Sequence, residues 1–301
     1  MDLKIGNIIK KRREELGLTQ AVICNGICTV KTLSRIENND NFPSPFILEA
    51  LLERLKISMK SLGYMAFGKD CRALQLKEEI INAQTAWNFE KASKLIGELC
   101  ECNESDEPIV KQFILFSKVV IDKNMDYKEK ILMLEEAIKI TIPMFNIDNF
   151  EDNILSLDEC TIIINIANNY MMMKNWDKAE TIYKNLLNIC TKYFDKNSVY
   201  YGSIILICCN LSQCLNLQKK YYEVIPIADK GIEKIIADDR IKGLGEILSY
   251  KAYSLCQIGN IDEGYALYKK AIVVMELSKS DKNRKNTIKI AKEDFHLDLL
   301  K

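Results

Sequence analysis

Thr19-Gln20-Ala21-Val22-Ile23-Cys24-Asn25-Gly26-Ile27-Cys28-Thr29-Val30-Lys31-Thr32-Leu33-Ser34-Arg35-Ile36-Glu37 decides how the first sixty residues fold. Thr19 stands where an N-cap belongs, because its hydroxyl accepts an amide hydrogen left unpaired in a first helical turn. The spacing predicts a short helix from Gln20 to about Cys24, a turn at Asn25-Gly26, and a second helix over Val30–Glu37 capped by Thr29. Leu33 and Ile36, three apart, face a core, while Val30, Lys31 and Arg35 lie on the other side. Outward from this pair, Ile5 to Arg13 begins a helix that ends at Gly17. Ser44 caps a fourth helix over 45–55, and Ser58 opens a short fifth.

Two short helices joined by a tight turn and wrapped by three more form a helix-turn-helix arrangement. Residues 1–36 carry Lys4, Lys10, Lys11, Arg12, Arg13, Lys31 and Arg35 against only Asp2, Glu14 and Glu15, although the whole chain is formally neutral. A local excess of that kind suits a surface that faces phosphates.

Ile9-Lys10-Lys11-Arg12-Arg13-Glu14-Glu15-Leu16-Gly17-Leu18-Thr19-Gln20, Thr32-Leu33-Ser34-Arg35-Ile36-Glu37 and Pro43-Ser44 together resemble the phage-repressor-like (XRE) DNA-binding domain over nearly all of residues 5–62. Gly26 comes one residue earlier than in the usual Gly-Val-Ser turn, and that variant resembles the PlcR-like branch of the RRNPP peptide-sensing regulators. The resemblance implies that Arg13 and Glu37 form a buried structural ion pair. It further implies that Gln20, Thr29, Val30, Lys31 and Arg35 meet double-stranded DNA, Gln20 and Thr29 at the backbone and Arg35 at a guanine edge.

Beyond about residue 70 the pattern changes to long amphipathic helices in pairs. Asn175-Trp176-Asp177-Lys178-Ala179-Glu180-Thr181-Ile182-Tyr183-Lys184 and Asn260-Ile261-Asp262-Glu263-Gly264-Tyr265-Ala266-Leu267-Tyr268-Lys269 are alike. Aligning Ala92, Lys130, Ala179, Val224 and Gly264 gives steps of 38, 49, 45 and 40 residues. These units resemble lengthened tetratricopeptide repeats (TPR), with Lys130 out of character at a small-residue position. The expected fold is all-α: an N-terminal five-helix domain at 1–67, then at 68–301 a right-handed superhelical solenoid of about five TPR-like pairs closed by a C-terminal capping helix.

In the repeat frame the inner surface is lined by Asn165, Asn168, Asn210, Gln213, Tyr250 and Tyr253. Asparagine amides offer donors and an acceptor to the main chain of an extended peptide. The combined architecture resembles an RRNPP regulator. That resemblance implies a homodimer built through the repeats, a palindromic operator, and a short signalling peptide in the groove, as in quorum sensing. The alternative is a DNA-binding regulator whose repeats hold a protein partner, as in phage or toxin–antitoxin systems.

An enzyme finds no support: there is no phosphate-cradling glycine loop or nucleophile elbow, and the only histidine is His296. No metal and no cofactor are expected, since Cys24 and Cys28 lack partners at zinc-site spacing, no pair of CxxC motifs exists, and Cys208, Cys209 and Cys214 fall inside an apolar helical stretch. No apolar run approaches the ~18 residues of a membrane span, and no signal-peptide core follows Met1, so the expected location is the cytoplasm without membrane contact.

Overall fold

The computed structural model describes residues 5–57, 72–102, 106–193, 201–237 and 241–299; among these the chain is helical and contains no strand. Four helices precede residue 57: α1 (Ile5–Glu15), α2 (Gln20–Cys24), α3 (Val30–Glu37) and α4 (Pro45–Arg54). Each short helix starts where the sequence placed its cap. Thr19 accepts from Val22 N, Thr29 from Thr32 N and Ser44 from Ile47 N. Ile9, Ile23, Leu33, Ile36, Leu48, Leu51 and Leu52 are fully buried and make the core of this part. The fifth helix expected from Ser58, and the boundary at 67/68, lie outside the described residues.

Five helix pairs follow: α5 (Arg72–Thr85) with α6 (Phe89–Cys100), α7 (Pro108–Ile121) with α8 (Tyr127–Thr141), α9 (Leu157–Met172) with α10 (Trp176–Tyr193), α11 (Tyr201–Leu217) with α12 (Tyr221–Ala237), and α13 (Leu244–Gln257) with α14 (Ile261–Leu277). A final helix, α15 (Asp281–Phe295), closes the series. The five residues aligned by sequence all fall at the fourth position of the second helix of a pair. Ala92, Ala179, Val224 and Gly264 are buried there, and Lys130 is half-buried. Gly264 shows why the position is small, since a Cβ would strike the Cys256 Sγ and crowd the Ala252 carbonyl.

Four of the pairs turn by one device. Trp87, Lys174, Lys219 and Gly259 adopt positive φ (58°, 61°, 61° and 92°), and the next amide bonds back five residues: Asn88 N to Ala83 O, Asn175 N to Tyr170 O, Lys220 N to Leu215 O, Asn260 N to Leu255 O. This is the Schellman closure, which satisfies carbonyls that a helix end leaves bare. The α7–α8 turn is built from two aspartates instead. Asp122 Oδ1 accepts from Asn124 N and Met125 N, and Asp126 Oδ1 from Lys128 N and Glu129 N. The repeat with the odd Lys130 is thus also the one with the odd turn.

The chain divides into two compact units, Met1–Asn169 with Lys196–Val199 and Tyr170–Asp195 with Tyr200–Lys301. In the first, α4 packs against α5 and α7. In the second, α11 packs against α12 and α13, and α13 packs against α14 and α15. Tyr268, Ile272, Ala252 and Ala291 form the core beneath the last helix.

Candidate nucleic-acid interface and repeat groove

The α2–turn–α3 segment is held by one buried carboxylate. Glu37, 2% exposed, receives the Arg13 guanidinium in a fork, Nε to Oε1 at 2.6 Å and Nη2 to Oε2 at 2.9 Å. The remaining Arg13 nitrogen, Nη1, donates to the Leu18 carbonyl at 3.0 Å. Gln20 Nε2 donates to Glu37 Oε2 at 2.7 Å. Burial works against the Glu37 charge, but the hydrogen bonds from Arg13 and Gln20 and the Arg13 charge outweigh it and hold the carboxyl below the usual range. The same bond raises Arg13 against the smaller effect of its own burial. The structural reading of this pair agrees with its geometry. One cluster ties α1, α2 and α3 together.

The outer face is open. Lys31 and Arg35, one turn apart on α3, are exposed, with Thr29 and Val30 (46% exposed) at its start and Lys10 and Lys11 exposed on α1. Leu33 and Ile36 are fully buried behind them. The five sequence-selected residues differ in what they have free. The Thr29 hydroxyl is occupied as a cap, accepting from Thr32 N at 3.1 Å and lying 2.9 Å from Thr32 Oγ1. The Gln20 amide is anchored on Glu37 and retains one further N–H and its carbonyl oxygen. Only Lys31 and Arg35 combine exposure with charge.

The six groove residues are all half-buried and are divided between the two units. Asn165 and Asn168 stand on α9 in the first unit; Asn210 and Gln213 on α11, and Tyr250 and Tyr253 on α13, stand in the second. Asn165 donates Nδ2 to Thr161 O at 2.8 Å within its own helix. Asn210, at the same frame position, instead hydrogen-bonds the hydroxyl of fully buried Tyr183. Tyr253 packs edge-on to Phe295 (5.3 Å) and Tyr221 (6.2 Å) and receives Gln257 Nε2 at 3.0 Å. Tyr253 thus fastens the last helix. Burial pushes the Tyr250 hydroxyl above its ordinary range.

Along α11, Leu206 (44% exposed), Asn210, Gln213 and Leu217 (45%) make one stripe, and α11 packs against α13, which carries Tyr250 and Tyr253. Asn216, which sequence reasoning passed over in an Asn-rich chain, joins these helices: Nδ2 donates to Tyr250 O at 3.0 Å and Oδ1 accepts from Ser254 Oγ at 2.6 Å. Its spacing of three from Gln213 was the available signal. Among the described residues there is no group of His, Cys, Asp or Glu that could hold a metal ion, and no helix is long and apolar enough to cross a membrane.

Residues 9–62 match the family model for the helix-turn-helix. No curated protein matches the chain by sequence. Among solved structures, Bacillus thuringiensis PlcR in complex with the peptide PapR7 and DNA is 22% identical, with a TM-score of 0.56 over 93% of this chain and 98% of that one. Apo PlcR from the same organism is 19% identical, TM-score 0.59, covering 95% and 99%. ComR from S. thermophilus, in complex with DNA and its signalling peptide ComS, is 18% identical, TM-score 0.52, covering 97% and 100%. The chain has the fold of PlcR and ComR over nearly its whole length. The all-α expectation, a helix-turn-helix followed by repeat pairs and a closing helix, agrees with both the structure and these likenesses.

Proposed function

We propose that this protein is a cytoplasmic RRNPP-type transcription regulator: a homodimer that binds a palindromic operator and whose DNA affinity is set by a short signalling peptide in the repeats. The observation that carries the reading is the exposed cationic face of α3, held at a fixed angle by the buried Arg13–Glu37–Gln20 cluster. It lies in a chain with the fold of two proteins solved with DNA and peptide. Arg35 reads a guanine edge bidentately, and Lys31 meets a base or a phosphate. Gln20, Thr29 and Val30 seat the helix on the backbone and in the groove. Residues 1–67 form the reading head and 68–301 the repeat domain.

The peptide lies along the α11–α13 surface, where Asn210, Gln213, Tyr250 and Tyr253 supply hydrogen bonds between apolar contacts. Asn165 and Asn168, on α9 of the first unit, are peptide-contact candidates in their own right. Its effect is a population shift: the peptide binds better to the dimer geometry it favours, for or against DNA. No catalytic role is proposed.

Selection of DNA from a random library by the full-length dimer, with and without culture supernatant from the producing strain, tests this. Enrichment of a palindrome whose half-sites lie about one helical turn, roughly 34 Å, or a multiple apart is expected, and its yield changes with supernatant. Failure to enrich any sequence overturns the reading.

A further inference from the structure

The reading head is not merely tethered to the repeats; within the first unit a buried polar junction grips it. Arg54, 4% exposed on α4, donates Nη1 to the carbonyls of Ile23 (3.0 Å), near the end of α2, and of Asn25, in the turn that follows. Its Nη2 lies 3.6 Å from Oε1 of Glu159, 1% exposed near the start of α9. Glu159 in turn accepts from Thr141 Oγ1 and from Ser156 N, both at 2.7 Å. Gly26 completes the fit, because any Cβ there would collide with the Thr141 carbonyl at the end of α8. Alongside, Glu53 accepts from Leu157 N at 3.1 Å, and Lys77 on α5 bridges Glu49 (2.7 Å) and Asp158 (2.9 Å).

Among the described residues, six of the fourteen buried polar and charged residues (Glu53, Arg54, Lys77, Thr141, Ser156 and Glu159) are at this junction, so polar burial is concentrated where the head meets the helices that follow. An apolar contact tolerates sliding and rotation. A network of buried charges is satisfied at one register only, and adds specificity of geometry more than stability. The grip is on α4 and the inner turn, and it leaves Lys31 and Arg35 exposed. The head is docked with its cationic face outward.

We infer that this junction is a spacing determinant: Arg54 and Glu159, with Gly26 seated on Thr141, are positioning residues that fix the head on the first repeats and so fix the separation and rotation of the two half-sites a dimer accepts. The inference rests on the dimeric DNA-binding reading. Moving one half-site by two base pairs shifts it by about 7 Å and turns it by about 70°. A rigidly docked head cannot follow that change, whereas a head held only by its chain connection can.

The test uses the full-length protein and the operator it selects, together with operators lengthened or shortened by two base pairs at the centre. Wild type is expected to bind the altered operators about tenfold or more weakly, whereas Arg54→Lys and Glu159→Gln shrink that penalty to about threefold or less while base preference within each half-site stays unchanged. A general loss of stability would weaken binding to all operators alike and would leave the spacing penalty in place.

A second variant leaves the junction intact and lengthens the connection with six Gly/Ser residues between 62 and 68. It is expected to keep the wild-type penalty. The inference is overturned if Glu159→Gln retains the full spacing penalty, or if the lengthened chain loses it, since the covalent connection would then set the spacing. If Arg54→Lys does not fold, Glu159→Gln and the lengthened chain decide. A wild-type chain that selects no operator refutes the DNA-binding reading itself, before any spacing is compared.

Discussion

Residues 5–57 and the second unit are both helical, but their helices are held by different forces. In the head α2 has 5 residues and α3 has 8, too short to persist alone, so each depends on a side-chain cap and on the charge cluster around Glu37. In the second unit α10 has 18 residues and α12 and α14 have 17 each; they are long enough to be held by packing, with Ala179 and Gly264 at close crossings, whereas the helix ends of both regions share the same positive-φ closure. Structure and reading are therefore separable in the head. Leu33, Ile36 and Glu37 hold it, and Lys31 and Arg35 are left for contact. In the repeats the two roles share side chains, since Asn210 bonds Tyr183 and Tyr253 packs on Phe295 while both border the proposed groove.

The sharpest way to break this contrast is Glu37→Ala. It leaves the Arg13 guanidinium and the Gln20 amide without their shared acceptor, and is expected to cost about 3–5 kcal/mol of stability, read by urea denaturation of the full chain. A cost below about 1 kcal/mol would show that caps and packing alone hold the head.

Arg35→Ala tests the other side of the separation. Operator binding should weaken by about 1–3 kcal/mol with relaxed preference at one base pair, while stability stays within about 0.5 kcal/mol. An unchanged sequence preference removes Arg35 from the readout.

Asn210→Ala should show that the repeats do not separate. Because the Tyr183 hydroxyl loses its partner, stability falls by about 1 kcal/mol, and the response to peptide falls with it. Tyr183→Phe is the control, removing the hydroxyl but leaving the amide free to face a ligand. If it too abolishes the peptide response, Asn210 acts only through packing.

The same contrast explains what was legible in the sequence. Caps at Thr19, Thr29 and Ser44 are local, each acting on an amide three residues on, and so could be read from the residues alone. The small residues at Ala92, Ala179 and Gly264 were legible because close crossing forbids alternatives, and the repeat step followed from them. The turns were less so. Of the four Schellman turns within the repeat pairs only one uses glycine, and Trp87, Lys174 and Lys219 adopt the left-handed conformation without any residue type to announce it. Arg54 and Glu159 meet across more than a hundred residues of sequence, and no local pattern marks either as a partner. Asn165 and Asn210 share a frame position, yet tertiary surroundings give one its own helix as partner and the other Tyr183.

The smallest effect concerns pH and sets two buried glutamates against each other. Glu37, inside the head, has its carboxyl held down, so the stability it lends is present above the pKa of an unfolded glutamate and is lost as pH falls through the folded value. Glu53, at the junction, is pushed up to about 8, chiefly by burial, with Asp158 and Glu49 adding to the effect and Lys77 opposing it. Here the folded state binds the proton more tightly than the unfolded one, so stability declines as pH rises from the ordinary glutamate range toward 8. Glu53→Gln, which stays neutral, should flatten the urea midpoint over that range while preserving the acid-side loss that Glu37 causes. If the midpoint of the variant falls as steeply as that of wild type toward pH 8, Glu53 does not titrate there, and the Lys77 charge keeps it ionised throughout.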